Sequence, residues 1–118
     1  MTTPEGRVKL AVVKILGKYD AYHFFPATHG YGRSGVPDIV ACVQGKFIGI
    51  ECKAGKGVPT ALQLRELHLI EQAGGISMVI REDTLDLLTT TLDNLTRSEE
   101  HTSELQSLAY LVCRLLLE

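Results

Sequence analysis

Asp38, Glu51 and Lys53 are the residues with the clearest chemical potential in this sequence. They lie in two apolar runs, Val36 to Val43 and Lys46 to Lys53, separated by Gln44-Gly45, which reads as a two-residue hairpin turn. If Val43 faces Lys46, counting outward along the strands places Asp38 directly across from Glu51 on one face, with Lys53 two residues further along the same face. Directly opposed positions hold their Cβ atoms ~4.5 to 5.5 Å apart, where like charges repel. Two carboxylates forced together among apolar neighbours call for a divalent cation. Mg²⁺ takes carboxylate oxygens, water and substrate phosphate, so the expected chemistry is hydrolysis of a phosphodiester. Lys53 would then orient the attacking water or offset charge developing on phosphate. A three-residue loop would put Cys52 opposite Asp38 instead, so the argument depends on the turn.

Two further residues point toward the same place. Glu5 lies three residues before Val8 and seven before Val12, prolonging the apolar stripe of the first helix, so its carboxylate should point inward. There it could complete a coordination shell, directly or through a water. Gln63 precedes Leu67 and Ile70 by one and two turns and faces inward too. Each has a plainer reading. Glu5 is an acid favoured by the helix dipole in a first turn, and Thr60-x-x-Gln63 is a capping box. Asp38, Glu51 and Lys53 could likewise form an exposed salt-bridging edge. His23, His29 and His68 lack metal-ligand spacing, and Cys42 and Cys52 read as small core residues.

The elements that must position these groups follow from periodicity and punctuation. Thr3-Pro4-Glu5 starts a helix that reaches about Lys18, with Val8, Val12, Ile15 and Leu16 on its core face. Ala21 to Pro26 reads as a short strand, Thr28 to Gly35 as a loop, and the hairpin follows. Gly55 to Pro59 is a second loop, Thr60 caps a helix that stops at Ala73-Gly74-Gly75, Ile76 to Ile80 is a strand, and Leu85 to Leu95 a weaker helix. The order is α, β, β, β, α, β. Ile39, Ala41, Ile48 and Ile50 are apolar on one face of the hairpin, and Val40, Cys42 and Phe47 on the other. Helices are therefore expected on both sides of the sheet.

Composition limits the alternatives. The chain has 118 residues, of which 45% are hydrophobic and 22% charged, which suits one domain with a single core. No apolar run is long enough to span a membrane, and the start has no basic region leading into an apolar one, so a cytoplasmic protein is expected. Three cysteines without CxxC spacing argue against a disulfide framework or a thiolate zinc site. Residues 1–65 carry nine Lys or Arg against four Asp or Glu, whereas residues 66–96 carry one against six. A basic amino-terminal half could face a polyanion, with Lys9, Arg33, Ser34 and Lys56 as candidate phosphate contacts around the hairpin end. There is no aromatic stacking platform of the kind that binds single-stranded RNA. Residues 97–118, beginning Arg97-Ser-Glu-Glu-His-Thr-Ser-Glu, read like the translation of a sequencing-library adapter, so the domain is taken as residues 1–96.

Gly35-Val-Pro-Asp38, followed by Ile50-Glu51-Cys52-Lys53 and then Gln63 on the next helix, resembles the PD-(D/E)XK nuclease superfamily, and more closely its stand-alone VRR-NUC branch from phages and bacteria. The similarity runs from about Thr3 to Ile80. It implies an α/β fold with the restriction-endonuclease-like αβββαβ core, a central mixed sheet flanked by helices. It also implies an endodeoxyribonuclease dependent on Mg²⁺ or Mn²⁺. Asp38 and Glu51 would match the metal carboxylates and the Cys52 backbone carbonyl a further ligand. Lys53 would match the catalytic lysine, Gln63 the motif glutamine and Glu5 the amino-terminal acid. Small members of this branch are homodimers acting on branched DNA such as four-way junctions, in the cytoplasm of a bacterium or phage-infected host. A non-catalytic DNA-binding module on the same fold is the competing reading.

Overall fold

The computed structural model describes residues 3–27 and 34–97. Its elements are α1 (Pro4–Lys18), β1 (Tyr22–Phe24), β2 (Ile39–Val43), β3 (Lys46–Cys52), α2 (Ala61–Gln72) and β4 (Ile76–Ile80), followed by a helix, α3, described over residues 85–97. The strands form one sheet in the order β1-β2-β3-β4, antiparallel except for the parallel β3–β4 pair.

Local chemistry accounts for the boundaries. The Thr3 hydroxyl accepts from the Gly6 N–H at 2.9 Å and caps α1. At the other end Asp20 takes a positive φ of 55°, and the Ala21 N–H returns to the Leu16 carbonyl. The hairpin turn has φ of 52° at Gln44 and 77° at Gly45, the left-handed pair that matches strand twist. It fixes Val43 opposite Lys46 and Ile39 opposite Ile50, the register expected from the sequence. The strands are shorter than that reading: β1 does not include Ala21, Phe25 or Pro26, β2 starts at Ile39 and β3 stops at Cys52. Asp38 and Lys53 thus flank the ladder at its end.

The core lies on one face of the sheet. Ile39, Ala41, Val43, Ile48, Ile50, Cys52, Met78 and Ile80 pack there with Val8, Val12 and Leu16 of α1 and Leu88 and Leu92 of α3. The Tyr19 hydroxyl donates to the Asp93 carboxylate and ties α1 to α3. On the opposite face α2 lies over β3 and β4, giving the three-layer arrangement. Gly49 makes this approach possible, because a Cβ there would come within 2.5 Å of Ile70 Cδ1 and 3.0 Å of Pro37 Cγ. Helix cover on this side is incomplete. Phe47 is 47% exposed, and Cys42 is exposed, which corrects its assignment as a core residue. Among the described residues no helix is long and apolar enough to cross a membrane.

Candidate active site

The site collects at the end of the hairpin where β2 begins and β3 ends. Asp38 is held there by the end of the neighbouring strand, its Oδ2 accepting from the Cys52 N–H at 2.9 Å. One residue further, the Lys53 N–H donates to the Ile80 carbonyl at 3.0 Å. The chain reaches Asp38 through Gly35, whose φ of 80° and close approach to Leu62 admit no side chain, since a Cβ would lie 2.7 Å from the Leu62 carbonyl carbon. Gly35 therefore brings the first turn of α2 against the segment that carries Asp38.

Gln63, in that first turn, serves two ends at once. Its Oε1 accepts from the Thr60 N–H at 2.8 Å, and its own N–H donates to the Thr60 hydroxyl at 3.2 Å, which completes the capping box. Its Nε2 donates to Glu51 Oε1 at 2.9 Å. The cap fixes the rotamer that reaches Glu51, so the two readings of Gln63 are parts of one arrangement.

Glu51 is the unusual group. It is 1% exposed, with Lys53 Nζ at 3.8 Å from Oε1, and its Oε2 is buried with no hydrogen-bond donor among the described residues. A carboxylate oxygen so placed costs on the order of 1 to 3 kcal/mol or more unless something compensates it. One oxygen from each of Glu5, Asp38 and Glu51 lies within 4.8 Å of the others. Burial first, then the charge of Asp38 and the hydrogen bond with Asp38 that a proton on either carboxyl allows, push the Glu51 carboxyl up to about 8, with Glu5 adding to the shift and Lys53 opposing it. Either a proton shared with Asp38 or a cation offsets the crowding. The Cys52 thiol is pushed up to about 12, chiefly by burial, so only the Cys52 backbone carbonyl, which leads into Lys53, is a sensible donor from that residue.

The expected phosphate contacts are distributed differently. Lys9 lies one turn beyond Glu5 on α1, and its Nζ is 3.4 Å from Asp38 Oδ1 rather than free on a rim. Lys56 and Ser34 are exposed in turns flanking the site, while Arg33 is outside the described residues, as is the tail beyond Arg97. Two residues not singled out from sequence hold the Lys56 loop. Glu82 Oε1 accepts from the Gly55 N–H at 2.7 Å, and Arg81 Nη2 donates to the Gly57 carbonyl at 2.8 Å. Sequence spacing gave no signal for either, because their approach depends on where β4 ends.

Solved structures similar to the chain include two with VRR_NUC descriptions. One, described as a VRR_NUC domain, has TM-score 0.59 and 22% identity, covering 81% of this chain and 97% of its own. Another, a VRR_NUC domain protein, has TM-score 0.60 and 15% identity, covering 80% and 92% respectively. No family model and no curated protein gives a significant match. The chain has the restriction-endonuclease-like α/β fold of VRR_NUC domains, as its sequence resemblance implied.

Proposed function

We propose that the protein is a metal-dependent endodeoxyribonuclease that hydrolyses phosphodiester bonds with Mg²⁺ or Mn²⁺, selective for branched DNA such as four-way junctions. The observation that carries this reading is the donorless, buried Glu51 Oε2 at a cluster of three carboxylates. All the candidate side-chain donors are hard oxygens, a set that suits Mg²⁺ or Mn²⁺ and not a soft thiophilic ion. The VRR_NUC description of both similar folds supports a nuclease.

Asp38, Glu51 and Glu5 would hold the cation, with the Cys52 carbonyl as a further ligand. When bound, a divalent ion supplies polarisation of a phosphoryl oxygen and a lowered pKa for a nearby water. Gln63 holds the Glu51 carboxylate in one orientation. Lys53, 15% exposed in its side chain and ion-paired to Glu51, is restrained enough to present an ammonium to charge that develops at the phosphate. Lys56 and Ser34, with Arg33, would contact the DNA backbone. One such site cuts one strand, so a homodimer is the natural arrangement for cutting two. The expected setting is the cytoplasm of a bacterium or phage-infected cell.

The test is nicking of a labelled four-way junction and of matched duplex, each with Mg²⁺ and with EDTA. Cleavage of the junction that EDTA abolishes supports the proposal. Binding that EDTA does not affect, with no cleavage at any Mg²⁺ or Mn²⁺ concentration, identifies a DNA-binding module instead.

A further inference from the structure

Each of the two hairpin carboxylates has its own lysine, and the two pairs are built differently. The Lys53–Glu51 pair is enclosed, its side chains 15% and 1% exposed. The Lys9–Asp38 pair is open, at 37% and 20%. Lys53 directly follows β3, its N–H bonded to the Ile80 carbonyl, two residues from its partner on the same face. Lys9 reaches across from another element on a long, half-exposed side chain, and α1 presents it one turn from Glu5, so Glu5 and Lys9 share a helix face. Lys9 thus enters the cluster together with one of the groups that would hold a cation.

These facts set up a competition. Glu5, Asp38 and Glu51 carry three negative charges when ionised, and Lys9 and Lys53 return two positive ones. Oδ2 of Asp38 already accepts from the Cys52 N–H, whereas Oδ1 has Lys9 Nζ as its neighbour, so a cation on Oδ1 would meet the ammonium directly. An ammonium 3.4 Å from that oxygen and a divalent ion on the same oxygen repel each other strongly. Of the two lysines Lys9 is the more exposed and has the more room to move into solvent.

We propose that Lys9 is a displaceable counter-ion of Asp38: it neutralises Asp38 in the metal-free protein, weakens the site's hold on a divalent cation, and on displacement becomes a contact for a DNA phosphate. The proposal rests on the metal-site reading given above. It makes Lys9 a positioning residue whose partner depends on the state of the site. The amino-terminal helix, and not only the hairpin, then sets how much cation the protein needs.

The experiment is a calorimetric titration with Mn²⁺ of the full chain and of Lys9→Met, which keeps the aliphatic stem and helix propensity and removes only the charge. Lys9→Met should bind Mn²⁺ about tenfold more tightly, since a unit charge a few ångströms from a divalent ion is worth at least that factor even in high dielectric. Its melting temperature should rise more on adding Mn²⁺ than that of the parent. In DNA-binding measurements against salt, Lys9→Met should lose about one unit of slope with Ca²⁺ present and none in EDTA. Equal Mn²⁺ affinities in parent and variant overturn the proposal and leave the metal site standing. Weaker binding by Lys9→Met also overturns it, by showing that Lys9 supports the site. Failure of both proteins to bind Mn²⁺ removes the metal site itself and the proposal with it.

Discussion

The two faces of the sheet are built from alternate residues of the same strands, yet they differ in almost every physical respect. One face, covered by α1 and α3, is dry and aliphatic, with Ile39, Ile48, Ile50 and Ile80 fully buried. The other carries Glu51 beside Gly49 and Phe47, and α2 covers only its β3–β4 side. Beyond that cover lies a groove of about 620 Å³ lined in part by Phe24, Val40, Phe47 and Leu69. Stability and chemistry are thus separated by the period of two along a strand. An acid could be buried at position 51 because it stands at the end of the second face, where Gln63 and Lys53 partner one oxygen and the carboxyl lies beside those of Asp38 and Glu5.

The comparison breaks first, and by the largest margin, at the acids. Glu51→Gln keeps the shape and the oxygen that accepts from Gln63, and supplies an amide donor toward Asp38, so the fold should persist. On the proposed function, in which Glu51 is a ligand of the cation, cation-dependent cleavage should fall by about a thousandfold or more. Single-turnover cleavage at saturating DNA measures it, and near-parental rates would move the site off this face.

On the dry face the effect should appear in stability alone. Ile50→Ala, at a fully buried position between α1 and the sheet, should cost about 2 to 5 kcal/mol in chemical denaturation. Phe47→Ser, half-exposed on the other face, should cost about 1 kcal/mol or less. Comparable losses would mean that the groove face is covered in solution.

Lys53→Ala sharpens the contrast within the site. Its charge is needed most when negative charge develops on the phosphate, so the cleavage rate should fall by about a hundredfold while DNA affinity changes by less than about threefold. A loss confined to binding would make Lys53 a phosphate anchor.

Acidity should distinguish the faces as well. The Glu51 carboxyl is raised from 4.5 to about 8, so the folded protein holds its proton more tightly than the unfolded chain does. Its contribution to stability is complete below about pH 4.5 and is lost as pH rises toward 8. In EDTA the parent should lose on the order of 2 kcal/mol relative to Glu51→Gln across that window, a figure reduced for solvent relaxation. Saturating Mg²⁺ should reverse the sign, since binding favours the ionised form. Denaturant midpoints from pH 5 to pH 8 read both effects. The smallest effect belongs to the loop braced by Arg81 and Glu82, where Lys56→Ala should reduce the salt slope of DNA binding by about one unit and leave stability unchanged.

Much of this was legible in order along the chain. Thr3-Pro4, the Gln44-Gly45 turn, Thr60 with Gln63 and the Gly74-Gly75 stop are local signals, each satisfied by hydrogen bonds within a few residues. The turn alone fixed the hairpin register that brings Asp38 to Glu51. Other features carried no local signal. Cys42 looked like a core residue because strand patterns show which residues share a face but not which faces a helix will cover.

The sequence by itself therefore determined the helix limits, the hairpin and its paired carboxylates, since backbone hydrogen bonding and side-chain alternation act over short stretches of chain. Tertiary structure alone decided that Lys9 would meet Asp38, that Arg81 and Glu82 would brace the Lys56 loop, and that Glu51 would keep one buried oxygen without a donor. Those outcomes depend on where α1, α2 and the end of β4 come to rest against the sheet. That placement is set by burial of Val12, Leu16, Leu67 and Ile80 against partners distant in the chain, and the hydrophobic effect that drives it carries no directional code in any single segment.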